Sequence, residues 1–415
     1  MKTFSELGVP KAVTDALTRR GITHPFPIQT ATIADALAGR DVAGRAPTGS
    51  GKTLAFSIPV AVNTRKARSG RPHALILVPT RELASQVCDV LRPLGQARDL
   101  SVAAFYGGTS IGKDFERLRR GVDIAVACPG RLADLVQRGA ADLSDVSLVV
   151  VDEADRMADM GFLPEVRRLL NATRSDRQTL LFSATLDGDV DVLIREYQRK
   201  PVRHDMGDGA ESRGEVQHFF WRTPTHERVA LTSEIISAVD SAIVFTRTKH
   251  AADRVAKQLQ RTGVTAAAIH GNRTQKQRER ALADFTSGRV ATLVATDVAA
   301  RGIHVDDVGV VVHFDPPATD KDYVHRSGRT GRAGSDGLVV TLVAPDRMSD
   351  VRVLQRALSL PQRVDAAQVS VLGGSASPLP RPVATPAHVP APAARRPRTA
   401  PQRGRRPRPA QRSRG

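Results

Sequence analysis

Short, continuously apolar, β-branched runs recur along the chain, and each gives way to a polar cluster and then to a stretch with helical spacing. The runs fall at 74–78, 102–105, 124–127, 148–151 and 179–182, and again at 242–245, 266–269, 292–295, 309–312 and 338–343. Apolar runs without polar alternation, separated by helices, predict parallel sheets covered by helices on both faces. The fold class is therefore α/β, with two such sheets in tandem. Between the two sets lies a polar, glycine-rich stretch that reads as a linker. The pattern divides the chain into a first domain over 1–206, a linker over 207–214, a second domain over 215–365 and a tail over 366–415. The tail holds ten prolines and almost no large apolar side chains, so it cannot bury a core and is expected to be disordered.

The polar clusters sit directly after the carboxyl ends of the predicted strands. In the first half they are Pro79-Thr80-Arg81-Glu82, Gly107-Gly108, Cys128-Pro129-Gly130-Arg131, Asp152-Glu153-Ala154-Asp155 and Ser183-Ala184-Thr185. In the second half they are Thr246-Arg247, His270-Gly271 and Thr296-Asp297. Open α/β sheets bind ligands outside the carboxyl ends of their strands. Two ligand-binding edges are expected, one per domain.

Composition narrows the classes. A chain of 415 residues suits two domains, and 41% hydrophobic with 25% charged residues is ordinary for a globular protein. The apolar runs are too short to span a bilayer, and Glu6 and Asp15 interrupt any apolar signal core, so neither a membrane partner nor export is expected. Two cysteines, Cys88 and Cys128, cannot form a disulfide framework, which leaves the cytoplasm as the expected location. The net charge of +18 calls for a polyanionic partner, nucleic acid being the commonest. Ten arginines and no acidic residue lie beyond Val371, leaving about +8 for the body. The tail can thus attract phosphates or dock a protein partner, but specific chemistry must come from the body.

That chemistry begins at Ala46-Pro47-Thr48-Gly49-Ser50-Gly51-Lys52-Thr53, a phosphate-cradling loop that leads into an apolar helix. Glycines let the backbone aim N–H groups at phosphates, Lys52 reaches the β/γ-phosphates and the Thr53 hydroxyl can ligate Mg²⁺. Ala46 departs from the strict pattern, which opens with glycine. A chance glycine turn is the bland alternative, and a kinase or a GTPase would carry the same loop. The strand at 148–151 narrows the choice by ending in Asp152, placed to hold Mg²⁺, and Glu153, placed to orient or deprotonate a water. Carboxylates at a strand end can also form a plain solvated turn; a phosphate loop about 100 residues earlier weighs against that.

From Phe4 to Arg332 the chain resembles the DEAD-box RNA helicases, motif after motif in family order. Phe4 and the segment 21–29, with Ile22 and Gln29, look like the adenine-reading element. The phosphate loop, PTRELA at 79–84, Gly107-Gly108, CPGR at 128–131, DEAD at 152–155 and SAT at 183–185 match the first domain. Thr246-Arg247, His270-Gly271, the QKQR segment ending at Arg278, ATDVAARGI at 295–303 and HRSGRTGR at 325–332 match the second. The resemblance implies two tandem RecA-like domains, ATP and Mg²⁺ as cofactors, and RNA as partner. It implies Arg329 and Arg332 as arginine fingers, Gly302 and Asp297 near the nucleotide, and Asp155, Ser183, Thr185 and His325 as couplers of hydrolysis to RNA grip. A solvated basic loop and a structural histidine are the bland alternatives for the arginines and for His325. Pro79, Thr80, Arg81, Gly107, Gly108, Gly130, Arg131, Thr246, Arg247, Gly271, Arg278 and Thr296 would contact the RNA backbone. Such groups suit phosphates and 2′-hydroxyls and carry little base information.

Three positions depart from the family pattern: Ile22 in place of an aromatic, Cys128 in place of threonine and His304 in place of aspartate. None touches Lys52, Asp152, Glu153 or the arginines, so hydrolysis is expected. The expected activity is RNA-stimulated ATP hydrolysis by a monomer, closing two domains and unwinding short duplexes locally. An ATP-dependent clamp or annealing chaperone is the alternative, and a DNA translocase is opposed by the DEAD and SAT motifs.

Overall fold

The computed structural model describes residues 2–47, 49–207, 215–300, 305, 308–331 and 336–372. Thr48, 208–214 of the expected linker, Gly302, His304, Arg332 and the tail beyond Leu372 lie outside the described residues.

The first sheet contains β1 (Val42–Arg45), β2 (Ala74–Leu77), β3 (Val102–Phe105), β4 (Ile124–Ala127), β5 (Leu148–Asp152), β6 (Gln178–Ser183) and β7 (Val202–Asp205), in the order β3-β4-β2-β5-β6-β1-β7. The second contains β8 (Val216–Arg222), β9 (Ala242–Phe245), β10 (Ala266–Ile269), β11 (Thr292–Ala295), β12 (Val310–His313), β13 (Gly337–Val343) and β14 (Asp365–Ala366), in the order β10-β11-β9-β12-β13-β8-β14. Every strand pairing is parallel.

The unbroken apolar runs follow from this geometry, because successive side chains on a strand point to opposite faces. Ile76, Val126, Val150 and Leu180 enter one core of the first domain, and Leu75, Leu77, Ala125, Val149 and Leu181 enter the other. Val244, Val294, Val312 and Val340 divide from Ile243, Leu293, Val311 and Val339 in the same way in the second. A sheet buried on both faces has no solvent side on which polar residues could alternate.

Chemistry is therefore displaced to the strand ends. Thr80, Thr248, Thr274 and Thr319 each cap a helix by accepting a backbone N–H. The expected second-domain boundary at 365 falls short. β14 joins β8, and the chain continues to Leu372, fully buried in the second core. No helix among the described residues is long and apolar enough to cross a membrane.

Candidate active site

β1 delivers the phosphate loop. Its Gly44 is required by a close approach, since a Cβ there would sit 2.7 Å from the Phe182 ring. Beyond it Gly49 and Gly51 take φ of +85° and +88°, a region that L side chains avoid. The helix Lys52–Asn63 starts at once, leaving its first N–H groups turned toward the loop. Gln29 steadies this turn: its Nε2 donates to Gly51 O at 3.0 Å and its Oε1 accepts from Phe26 N at 2.9 Å. The Gln29 amide keeps one further donor and one further acceptor position, the pair that an adenine edge uses. Phe26, 55% exposed, stands beside it, whereas Phe4 is packed in the core and Ile22 lies partly buried against that core.

Lys52 is buried, and its Nζ donates to Ala46 O at 2.6 Å and to Pro47 O at 3.0 Å. Burial pushes its pKa below the ordinary lysine value, while Asp152 and Glu153 pull it back. Asp152 ends β5 fully buried; burial, with Glu153 beside it, raises its carboxyl to about 7 against the pull of Lys52. A pocket with two adjacent carboxylates and one lysine suits a divalent cation. No group of three metal-ligating side chains occurs among the described residues. Mg²⁺ is commonly held by one or two carboxylates together with phosphates, so Asp152 could serve as one of its ligands. Thr53, one residue beyond Lys52, is partly buried.

Glu153 sits at φ +53°, a strained left-handed conformation for a non-glycine residue. Arg156 Nη1 donates to Glu153 Oε2 at 2.6 Å, and both are buried. Asp155 N donates to Ser183 Oγ at 3.2 Å, joining the DEAD and SAT segments. Thr185 is exposed.

In the second domain the helix Asp320–Ser327 carries His325 and leads into Arg329, itself buried. Tyr323 anchors this helix: it lies edge-on to His313 at 4.8 Å, stacks on Phe220 and pairs its hydroxyl with His218 Nδ1 at 2.8 Å. Arg326 binds Asp297 through two hydrogen bonds, of 2.5 and 2.8 Å, and lies over the Phe245 ring. Asp297 is thus engaged within its own domain. Phe245, Asp297, His325, Arg326 and Arg329 line one pocket.

Ion pairs among the described residues join the domains. Arg278 Nε donates to Glu82 Oε1 at 2.7 Å with both side chains buried. Asp159, just beyond the DEAD segment, takes Lys321 Nζ at 3.4 Å and His325 Nε2 at 3.7 Å. The helix bearing the arginine motif is thereby seated against the DEAD segment of the first domain.

The expected RNA contacts divide into two groups. Gly107, Gly108, Gly130, Arg247 and Gly271 stand accessible at the strand ends, with half-buried Arg81 lying over Gly108. Pro79, Thr80, Thr246 and Thr296 are buried at the same ends, and the Thr246 hydroxyl faces the Thr248 and Ala295 carbonyls. Arg131 is held by Asp114 Oδ2 at 2.9 Å and Arg278 by Glu82, so neither guanidinium is simply offered to solvent. Glu82, Arg156, Asp159 and Arg326 were not singled out by the sequence reading. The Glu153–Arg156 spacing of three residues on a helix was the one local signal available.

A phosphate loop, a pair of strand-end carboxylates and a second sheet supplying an arginine helix define a two-domain RecA-like nucleotide-binding protein. The family model for DEAD/DEAH box helicases matches residues 26–193, and that for the helicase conserved C-terminal domain matches residues 226–334. The chain is 40% identical over 367 residues to DEAD-box ATP-dependent RNA helicase 30 of Arabidopsis thaliana, an alignment covering 86% of this chain and 62% of that one. It is 37% identical over 357 residues to ATP-dependent RNA helicase CshA of Listeria monocytogenes, covering 86% and 68%. The chain therefore spans about three fifths of the Arabidopsis relative's length. A solved structure of S. cerevisiae Dbp5 bound to RNA and ADP BeF3 matches with a TM-score of 0.75 at 24% identity, covering 90% of this chain and all of that one, and shows the shared fold. The chain belongs to the DEAD-box helicase family.

Proposed function

We infer that the chain is an ATP-dependent RNA helicase, in which RNA-stimulated ATP hydrolysis closes the two domains and separates or remodels short duplexes locally, without processive travel. The observation that carries this reading is the contact of Asp159 with Lys321 and His325, which seats the arginine-bearing helix on the DEAD segment.

Gln29 reads the adenine edge, and the loop amides with Lys52 take the phosphates; Lys52 leaves the Ala46 and Pro47 carbonyls to do so. Asp152 and Thr53 would hold Mg²⁺, which would supply positive charge against the phosphates. Glu153, held by Arg156, orients the attacking water and accepts its proton. Arg329 and Arg332 meet the charge that develops on the transferred phosphoryl group. Arg278 with Glu82, and Asp159 with Lys321, tie closure to the segments that flank the RNA path.

RNA lies across the accessible strand-end groups Arg81, Gly107, Gly108, Gly130, Arg247 and Gly271, which suit backbone readout without sequence preference. Aromatic residues form 4% of the chain, which opposes a base-stacking platform. The arginine-rich tail adds sequence-independent affinity. We place the protein in the cytoplasm as a monomer; both of its cysteines are free thiols, which suits a reducing compartment.

Initial-rate ATP turnover tests the reading. Single-stranded RNA is expected to raise turnover at least tenfold and DNA much less, with Glu153→Gln lowering the stimulated rate by about 100-fold or more. Turnover indifferent to RNA, with strand annealing retained, would replace this reading with that of a clamp or annealing chaperone.

A further inference from the structure

The helix Lys249–Arg261 follows directly on Thr246 and Arg247 and packs on β10 and β11 at the end of the second sheet. Ala252, Val255, Ala256 and Leu259 form its buried face. On the other side His250, Arg254, Lys257 and Arg261 are all exposed. Spacings of four, three and four residues set them in one stripe, roughly 16 Å long at about 1.5 Å per residue. With Asp253 and Gln258 they line an open groove of about 460 Å³.

The single carboxylate in that groove is already engaged. His270 Nδ1 accepts from Asn272 N, so its Nε2 carries the hydrogen and donates to Asp253 Oδ1 at 2.9 Å. Arg273 Nη2 donates to the same oxygen at 2.5 Å. None of the four stripe residues has an ion pair among the described residues. Two other exposed helix faces pair opposite signs at i, i+4 instead, Lys11 with Asp15 and Asp134 with Arg138. A run of like charges at this spacing costs some helix stability.

We propose that this stripe is a second RNA site, one that grips the phosphates of a duplex arm flanking the single strand on the ligand edge. The inference rests on the RNA-helicase reading above. The stripe begins at that edge, where Lys249 Nζ donates to Asn272 Oδ1 at 2.9 Å beside Gly271. It then runs down the flank of the domain, along the path of a nucleic acid that leaves the edge past β10. Cations one turn apart with no interleaved aromatic suit phosphates rather than bases. An acidic protein would need apolar anchors at the centre of its footprint, and no apolar residue lines the groove.

The test uses the full chain with Arg254→Gln, Lys257→Gln and Arg261→Gln combined. Dissociation constants are measured across salt for a short single strand and for the same strand extended by a blunt hairpin. The variant is expected to lose about tenfold in affinity for the hairpin-bearing RNA, and its salt slope is expected to fall by about three, as removal of three phosphate contacts to a duplex implies. Affinity for the short strand, and the turnover it stimulates, should stay within about twofold. An equal loss on both RNAs, or no loss on either, overturns the proposal; the second outcome leaves the stripe to solvent or to a protein. Failure of the parent reading would look different: the unaltered chain would show no RNA-stimulated turnover, whatever its hairpin affinity.

Discussion

The two sheets have the same strand order, yet the groups proposed to hydrolyse a nucleotide gather mostly on one of them. β1 and β8 hold equivalent places, and each leads to a helix whose first residue is a cation, Lys52 in one domain and Arg228 in the other. β5 and β12 also correspond, and each is followed by acid: Asp152 and Glu153 in the first domain, Asp315 in the second. In the second domain the pair has closed on itself. Arg228 Nη1 lies 3.4 Å from Asp315 Oδ1, its guanidinium covers the Phe314 ring, and Asp315 Oδ2 accepts from Arg247 N at 2.8 Å. In the first domain the loop through Gly49 and Gly51 keeps Lys52 on backbone carbonyls, and Asp152 is left with a carboxyl raised to about 7. Identical topology holds an ion pair in one place and, in the other, a lysine on backbone carbonyls beside a buried carboxyl. The distinction lies in a few loop residues, which is why function must be read from the site and not the fold.

The sharpest way to break this comparison is to remove each cation in turn. Lys52→Ala is expected to lower RNA-stimulated turnover by more than about 100-fold, in line with the loss of a group that meets transition-state charge. Arg228→Ala is expected to leave turnover within about fivefold and to destabilise the second domain by about 2 kcal/mol, since it leaves Asp315 without its partner. Turnover and denaturant unfolding on the same two variants give both numbers. If Arg228→Ala silences turnover while the fold holds, the second-domain pair is not merely structural.

A smaller effect is expected where the domains meet. Arg278→Ala should lower RNA-stimulated turnover about tenfold and leave the rate without RNA unchanged, if the Glu82 contact between the domains reports closure. A double-mutant cycle with Glu82→Ala should give a coupling of about 2 kcal/mol in RNA binding. Additive losses would mean that the pair does not report closure.

The smallest effect is on stability and depends on pH. The Asp152 carboxyl, raised by burial, favours the ligand-free fold while it is protonated. That contribution is complete below about 4 and is lost as pH rises through about 7. Asp152→Asn should therefore raise the first domain's melting temperature by several degrees at pH 8 and barely change it at pH 4. An equal shift at both pH values would point to packing instead of charge.

Most of the sheet was legible because a strand buried on both faces must be apolar throughout, as at Leu148 to Val151. β1 was not, since Gly44 is set by the approach of the Phe182 ring, a contact invisible in a local pattern. β7, with Arg203 and Asp205 on the edge of the sheet, carries no apolar run at all. The site divides similarly. Gly-Ser-Gly-Lys-Thr and Asp-Glu-Ala-Asp are contiguous, so their chemistry shows in one dimension. Glu82 and Arg278 lie 196 residues apart, and only folding reveals that they meet. The same holds for Asp159 and Lys321.

The division of labour between the domains is tested most directly by ATP turnover of Arg329→Ala with saturating single-stranded RNA. The account predicts a KM for ATP within a fewfold of the unaltered chain, because the first domain holds the nucleotide, and a kcat lower by about 10³, the usual scale for an arginine finger. An Arg329→Ala variant whose RNA-stimulated kcat stays within about threefold would contradict it, and would confine hydrolysis to the first domain.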